Sequence, residues 1–292
     1  MNTTSLFSSM HTHTVFCDGQ DDIETMCRTA YEKKLYAIGF SSHAPLYKQT
    51  GIKTDWNMKE ERIDEYIAEI NAAKLRWQGK LAVFSGLEVD YIKGIRSPAD
   101  NDIKAINADF IIGSVHYIVP ANGAEPFTVD GPPEELEKGL KEGFNGDGNA
   151  LMNSYYDAIA EMIAIGGFDI LGHVDVIKKN CTNRSFWPAE NEFCRQQEIT
   201  NAVRGKLIAV EVNTGGINRK KINDVYPSLP FLRLLCEYDI PVIITADAHR
   251  AQDLDGNYDK ALQAIINAGY KEHVLYNGKN NENTIWKKVK IL

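Results

Sequence analysis

The chain is short of several things, and each shortage removes a class of function. Its five cysteines, Cys17, Cys27, Cys181, Cys194 and Cys236, form no C-x-x-C pair and are odd in number. That fits reduced thiols in a cytoplasmic protein. Positive charge is also scarce, with net charge −8 and a pI near 5.4. A nucleic-acid binder normally shows a basic face, so none is expected here. No apolar run approaches the ~18 residues of a transmembrane helix, so no membrane span is expected. The opening "MNTTSLFSSM" has neither a basic segment nor an apolar core, so no secretory leader is expected within it. No G-x-x-x-x-G-K-[ST] loop is present, which removes the P-loop NTPases.

What remains is a soluble composition, 43% hydrophobic and 25% charged over 292 residues, enough to fill a sizeable core. No internal repeat or linker stands out, and residues 1–292 read as a single domain. Short apolar runs alternate with helical patterns: "SLFSSM", "YAIGFSS", "KLAVFSGLEV", "ADFIIGSV", "FDILGH", "KLIAVEVN" and "IPVIITADAH". Between them, Asp21 or Asp22 can cap a helix with Ile23, Met26, Cys27 and Ala30 on its apolar face. A second helix over "KEERIDEYIAEINAAKLRW" shows Ile63, Ile67, Ile70 and Leu75 as its inner stripe. Helices over about 150–165 and 189–203 follow. Residues 119–149, rich in Gly, Pro and acids, read as an insertion. Strand–helix alternation implies parallel strands with right-handed crossovers.

Only seven histidines occur, and six fall at the carboxyl ends of these strand candidates; His273 is the exception. The strand ends carry His11 and His13, His43, Glu88, His116, His173, Asn213, and Asp247 with His249. In a closed barrel such ends converge on one face, whereas an open sheet spreads them in a row. The expected fold is therefore a distorted (β/α)7 TIM-like barrel. Taken singly, each of these residues reads as an ordinary loop or capping group. Together with the acids at Asp18, Glu88 and Asp247 they read as metal ligands, because neutral imidazole is the commonest one and carboxylates offset the ion's charge. His11 and His13 alternate along an extended strand and so share a face, and "DAH" repeats that spacing. Nine ligand candidates exceed what one catalytic ion needs, which points to two or three divalent transition-metal ions.

The motifs "HTHT…DG", "SSHAP", "GLEVDY", "GSVHY", "ILGHVDVIKK", "EVNTGG" and "ADAH", in this order, resemble the polymerase-and-histidinol-phosphatase (PHP) superfamily. The similarity runs from His11 to about Leu254 and is closer to the stand-alone histidinol-phosphate phosphatases. It implies a trinuclear centre in a distorted seven-fold barrel. The resemblance assigns His11, His13, Glu88 and Asp247 to one ion. Glu88 would bridge to a second with His116 and His173, and Asp18, His43 and His249 would hold a third. Glu88, Asp247 and His249 are the catalytic candidates. Some members carry a histidine where Asp18 stands, and the oxygen ligand leaves manganese or iron open beside zinc.

The implied reaction is hydrolysis of L-histidinol phosphate, a small phosphate ester, by hydroxide available at neutral pH. "VIKKN" and "GGINRKK" offer cations for the phosphate. Arg219 is preferred because its fork matches phosphate oxygens, with Lys178 second. Asp55, Trp56 and Asp130 lie in loops that could meet the imidazole and ammonium groups. Three other readings stay open: a PHP-type phosphoesterase with another substrate, an amidohydrolase, and a non-catalytic metal binder. Glu88 speaks against the second, which normally bridges its metals with a lysine. Oligomeric state is not legible.

Overall fold

In the computed structural model, residues 6–47, 51–52, 54–181, 184–281 and 283–291 are described; Ser5, the start of the first strand candidate, lies outside them. Ten strands occur among these residues: β1 (Ala37–Phe40), β2 (Ala82–Asp90), β3 (Phe110–Ser114), β4 (Tyr117–Ile118), β5 (Phe127–Thr128), β6 (Ile170–Leu171), β7 (Ala209–Asn213), β8 (Val242–Thr245), β9 (Glu272–Asn280) and β10 (Asn283–Lys290). Six of them form one parallel sheet in the order β1-β2-β3-β6-β7-β8. Strands such as "FIIGS", "AVEVN" and "VIIT" are buried along their whole length, as a parallel sheet covered on both faces requires.

The seventh position is filled without a regular strand. Ser9 pairs with β1, its amide donating to Ala37 O at 3.0 Å while Gly39 N donates back at 2.8 Å. From His11 on, the chain also bonds the other edge, while Thr12 O still accepts from Ser41 N at 2.9 Å. His13 N reaches Ala248 O at 2.8 Å, and Ala248 N reaches His11 O at 3.0 Å. The segment thus bonds to both edges of the curled sheet, but in isolated bridges.

Helices cover the outside. They are α1 (Ile23–Glu32), α2 (Ile63–Arg76), α3 (Asn101–Ile106), α4 (Pro133–Phe144), α5 (Gly148–Ile165), α6 (Lys178–Cys181), α7 (Ala189–Val203), α8 (Gly215–Asn218), α9 (Leu229–Glu237) and α10 (Tyr258–Ala268). Asp22 caps α1, accepting from Thr25 N at 2.7 Å, and the expected Ile23, Met26, Cys27 and Ala30 face is buried. Asp147 caps α5 in the same way. The α2 stripe is rotated from expectation: Tyr66, Ile70 and Ala73 are buried, while Leu75 is 76% exposed. Leu75 lies five residues past Ile70, about 140° around a helix of 3.6 residues per turn, so the two cannot share a face. Residues 119–149 contain β5 and α4, with β4 pairing β5 in a two-stranded ribbon at the barrel mouth. No helix among the described residues is long and apolar enough to cross a membrane.

The barrel interior is filled from below. Met10, Phe110, Ile112, Ile170, Ala209 and Ile243 pack there with Val274 and Tyr276 of β9. A side chain at Gly86 would put its Cβ 2.5 Å from the Phe110 ring, so the absence of one makes room for that ring across the barrel. The β9–β10 hairpin closes the floor: Tyr276 OH donates to Asp109 O and Lys279 pairs with Asp169 at 3.0 Å, just before β3 and β6. His273 sits in this floor, stacked on Phe7, away from the other histidines.

Candidate metal centre

Strand periodicity carries the barrel from an apolar floor to a polar mouth. Side chains two apart point the same way, so Gly86 is followed inward by Glu88 and Asp90, Ile112 by Ser114, and Ala209 by Glu211 and Asn213. All of these polar residues are buried. The nine expected ligands meet at that level. His13, Asp18, His43 and His249 offer atoms within 4.8 Å of one another, as do His11 with His13 and Glu88, His11 with His173 and Asp247, and His43 with Glu88 and His116.

Glu88 is the shared member, and its two oxygens face different ways. Oε2 lies 3.1 Å from His11 Nε2, 3.1 Å from His43 Nδ1 and 3.6 Å from His13 Nε2. Oε1 lies 3.0 Å from His173 Nε2 and 3.5 Å from His116 Nε2. Asp247 Oδ1 approaches His13 Nε2 at 3.2 Å, and Asp18 Oδ2 approaches His249 Nε2 at 3.0 Å. Four of these atoms, His11 Nε2, His13 Nε2, His43 Nδ1 and Glu88 Oε2, are buried with no hydrogen-bond partner. A buried polar atom left unpaired costs roughly 1–3 kcal/mol. Lone pairs converging from imidazoles and carboxylates at this spacing fit divalent cations, which would satisfy them all.

Charge in the ion-free protein follows from these neighbours. Burial, together with His249 and His43, pushes His13 down to about 3, so its lone pair is available to a cation. Burial works against charge on His116 too, but Asp90 and Glu88 prevail and raise it to about 10. Burial alone would raise Glu88; His11, His43 and His116 hold it well below the usual carboxylate range. Cys17 Sγ sits 3.5 Å from His13 Nδ1, and burial with Asp18 lifts the thiol to about 11, so it stays protonated and packs.

Residues that hold the ligands escaped the sequence reading. Asp90 bonds His116 Nδ1 at 2.7 Å, Ser114 donates to Glu88 Oε1 at 2.6 Å, and Glu211 bonds His11 Nδ1 at 2.6 Å. Their signal was present: an acid inside the buried run "AVEVN", and another two residues past Glu88 in "LEVDY".

A cavity of about 270 Å³ opens above the cluster, large enough for a small organic phosphate. Asp18, His43, Glu88, His116, His173, Asp247 and His249 line it, with His11 and His13 behind. Trp56, Asp130, Lys179 and Arg219 form part of its wall, whereas Asp55 does not. Trp56 stacks on Tyr117 with ring centroids 5.8 Å apart. Arg219 is reached but already engaged: Nη2 donates to Asp247 Oδ2 at 2.8 Å and Nη1 to Asp247 O at 3.0 Å. Asp247 has φ +49°, which the second bond helps to hold. A Cβ at Gly215 would lie 2.8 Å from both Arg219 Nη2 and Asp247 Oδ2, so glycine makes room for the pair.

Lys178 departs from expectation. Its Nζ donates to Val225 O at 2.5 Å, pairs with Asp175 at 3.3 Å, and does not line the cavity. Successive residues of α6 point about 100° apart, so only one of the two lysines faces inward, and it is Lys179.

Residues 9–215 match the family described as PHP domain. A probable histidinol-phosphatase of Deinococcus radiodurans is 28% identical over 260 residues, covering 89% of this chain and 92% of that protein. Two solved structures share the fold. A putative histidinol phosphatase from Listeria monocytogenes has a TM-score of 0.75 and 23% identity, covering 86% of this chain and 98% of that one. A histidinol phosphate phosphatase from Lactococcus lactis, complexed with zinc, L-histidinol and phosphate, has a TM-score of 0.66 and 22% identity, covering 96% of this chain and 99% of that one.

Proposed function

The chain belongs to the PHP domain family, and from that premise and the geometry of its centre we propose that it is a metal-dependent phosphomonoester hydrolase acting on L-histidinol phosphate. The observation that carries the reading is Glu88, whose two oxygens face two separate sets of histidines as a bridge between ions requires. Two to three zinc, manganese or iron ions fit the nine ligands. When bound, such ions lower the pKa of water and neutralise phosphate oxygens.

The chain's own groups do the rest. Asp247 and His249, with Glu88, present their ligand atoms on the cavity side. Arg219 and Lys179 flank the opening and receive the phosphate. Lys179 takes the place first given to Lys178. Trp56 offers an aromatic face to the imidazole, and Asp130 a carboxylate to the ammonium. The small volume and the net charge of −8 favour a small ester over nucleic acid.

Elemental analysis of protein purified under metal-replete conditions should find two to three ions per chain. In a phosphomonoester panel, L-histidinol phosphate should show a far higher kcat/KM than p-nitrophenyl phosphate or nucleotides, and chelation should abolish turnover. Trp56→Ala and Asp130→Asn should lower activity on histidinol phosphate while sparing p-nitrophenyl phosphate. A nucleotide or sugar phosphate as best substrate would move the protein to a different PHP-type phosphoesterase activity.

A further inference from the structure

Beneath the proposed ion cluster lies a carboxylate that does not line the cavity above it and whose oxygens are both taken. Glu211 is fully buried on β7. Its Oε1 receives His11 Nδ1 at 2.6 Å and Thr245 Oγ1 at 2.6 Å. Its Oε2 receives the backbone amide of His173 at 2.7 Å and Asn213 Nδ2 at 3.0 Å. With two hydrogen bonds on each oxygen, Glu211 is not itself a ligand. It nevertheless reaches two ligand residues on different parts of the ring, one through its side chain and one through its backbone.

We infer that Glu211 is a positioning residue that sets His11 and His173 together and so couples the two sides of the cluster that meet at Glu88. Accepting from Nδ1 fixes His11 as the tautomer with its proton on Nδ1. Its Nε2 is then the ring nitrogen left to face a cation, buried, without a hydrogen-bond partner and 3.1 Å from Glu88 Oε2. The amide bond fixes the backbone of His173, whose Nε2 stands 3.0 Å from Glu88 Oε1. A carboxylate behind a ligating imidazole orients the ring and raises its basicity, and loss of such a partner typically weakens metal binding by about 10–100-fold. Here one carboxylate serves both faces of the bridge, so its loss weakens more than one ion.

This inference rests on the metal-centre reading above. Its test uses zinc ions alone, measured by competition with a chromogenic chelator on the full chain. Glu211→Gln keeps the shape but turns one acceptor into a donor that faces N–H or O–H groups. Affinity should fall about 10–100-fold for at least two ions, and Tm should fall more in zinc-loaded than in chelated protein. Wild-type zinc affinity in the variant overturns the inference, and so does an equal loss of Tm in both states, which marks a purely structural carboxylate. Wild-type protein that holds no zinc overturns the metal-centre reading itself. If the variant does not fold, nitrogen-15 histidine spectra of zinc-loaded wild type decide. His11 should carry its proton on Nδ1 and coordinate through Nε2; coordination through Nδ1 overturns the assignment.

Discussion

At the scale of single residues, Arg219 shows how a candidate phosphate contact can carry a second role. That the guanidinium reaches the cavity was legible from its place six residues past Asn213. Its two bonds to Asp247 were not, because they depend on Gly215 clearing the space between them. On the proposed reading, Arg219→Ala removes a phosphate donor and also a clamp on Asp247. We expect kcat/KM with histidinol phosphate to fall roughly a hundredfold, since a charge-assisted hydrogen bond is worth ~1.5–3 kcal/mol and ~1.4 kcal/mol is tenfold. Retention of the ions should weaken at the same time. Kinetics and elemental analysis on one preparation check both; unchanged kcat/KM would return Arg219 to a purely structural role. The nine candidate ligands stand out in the sequence because six of only seven histidines fall at strand ends beside Asp18, Glu88 and Asp247. Glu211 and Asp90 were missed: an acid inside a buried run signals that it has a partner, but not which residue across the barrel that partner is.

Elements were legible where the chain repeats a period and opaque where it does not. The parallel strands stand out as continuous apolar runs because both faces are buried. The α2 stripe was misplaced because Tyr66 and Ala73, not Leu75, share the buried face with Ile70; a tyrosine reads as surface until its hydroxyl finds Gly86 O at 3.0 Å and Ser42 N at 3.2 Å. The β9–β10 hairpin escaped notice altogether. Much of it is exposed or half-buried, and only 273–276 form a buried run. That run is the barrel's floor, with the Tyr276 ring edge-on to Phe84 at 4.9 Å and tilted against Phe110 at 5.4 Å. Tyr276→Ala should cost about 3–5 kcal/mol, as large aromatic truncations in cores do. At roughly 2–4 °C per kcal/mol for a chain of this size, calorimetry should record a drop in Tm on the order of 10 °C. Turnover at low temperature should hold, since the floor and the mouth are opposite ends of the barrel. A Tm within a degree or two of wild type would mean the hairpin is packed on the barrel without supporting it.

For the whole molecule, the barrel itself was readable from chemistry rather than from strands: polar groups that must share one site demand a ring. How the ring closes was not readable. "SLFSSM" reads as a seventh strand, yet between Ser9 and His13 the chain bonds one edge at Ser9 and Thr12 and the other at His11 and His13, in isolated bridges without a full register on either side. Alternation of side chains looks the same in either case, so the pattern cannot tell a strand from a segment that changes partners.

That change of partners leaves a seam. The ring is held there by a few amide bonds, those of Ser9, Gly39 and Ser41 on one side and His13 and Ala248 on the other, and the same segment supplies His11 and His13 to the cluster. Local opening draws on the regions with the fewest such bonds, so in chelated protein these amides should exchange with solvent faster than those of β2, β3 and β7. Opening the seam also pulls two ligands out of place, so every bound ion that needs them opposes it. With free ion at ~100 times its dissociation constant, opening at the seam should become about a hundredfold rarer. Hydrogen exchange would then report metal occupancy at the five seam amides while the rest of the sheet stays unchanged; a uniform response across the sheet would show that the ring opens only as a whole.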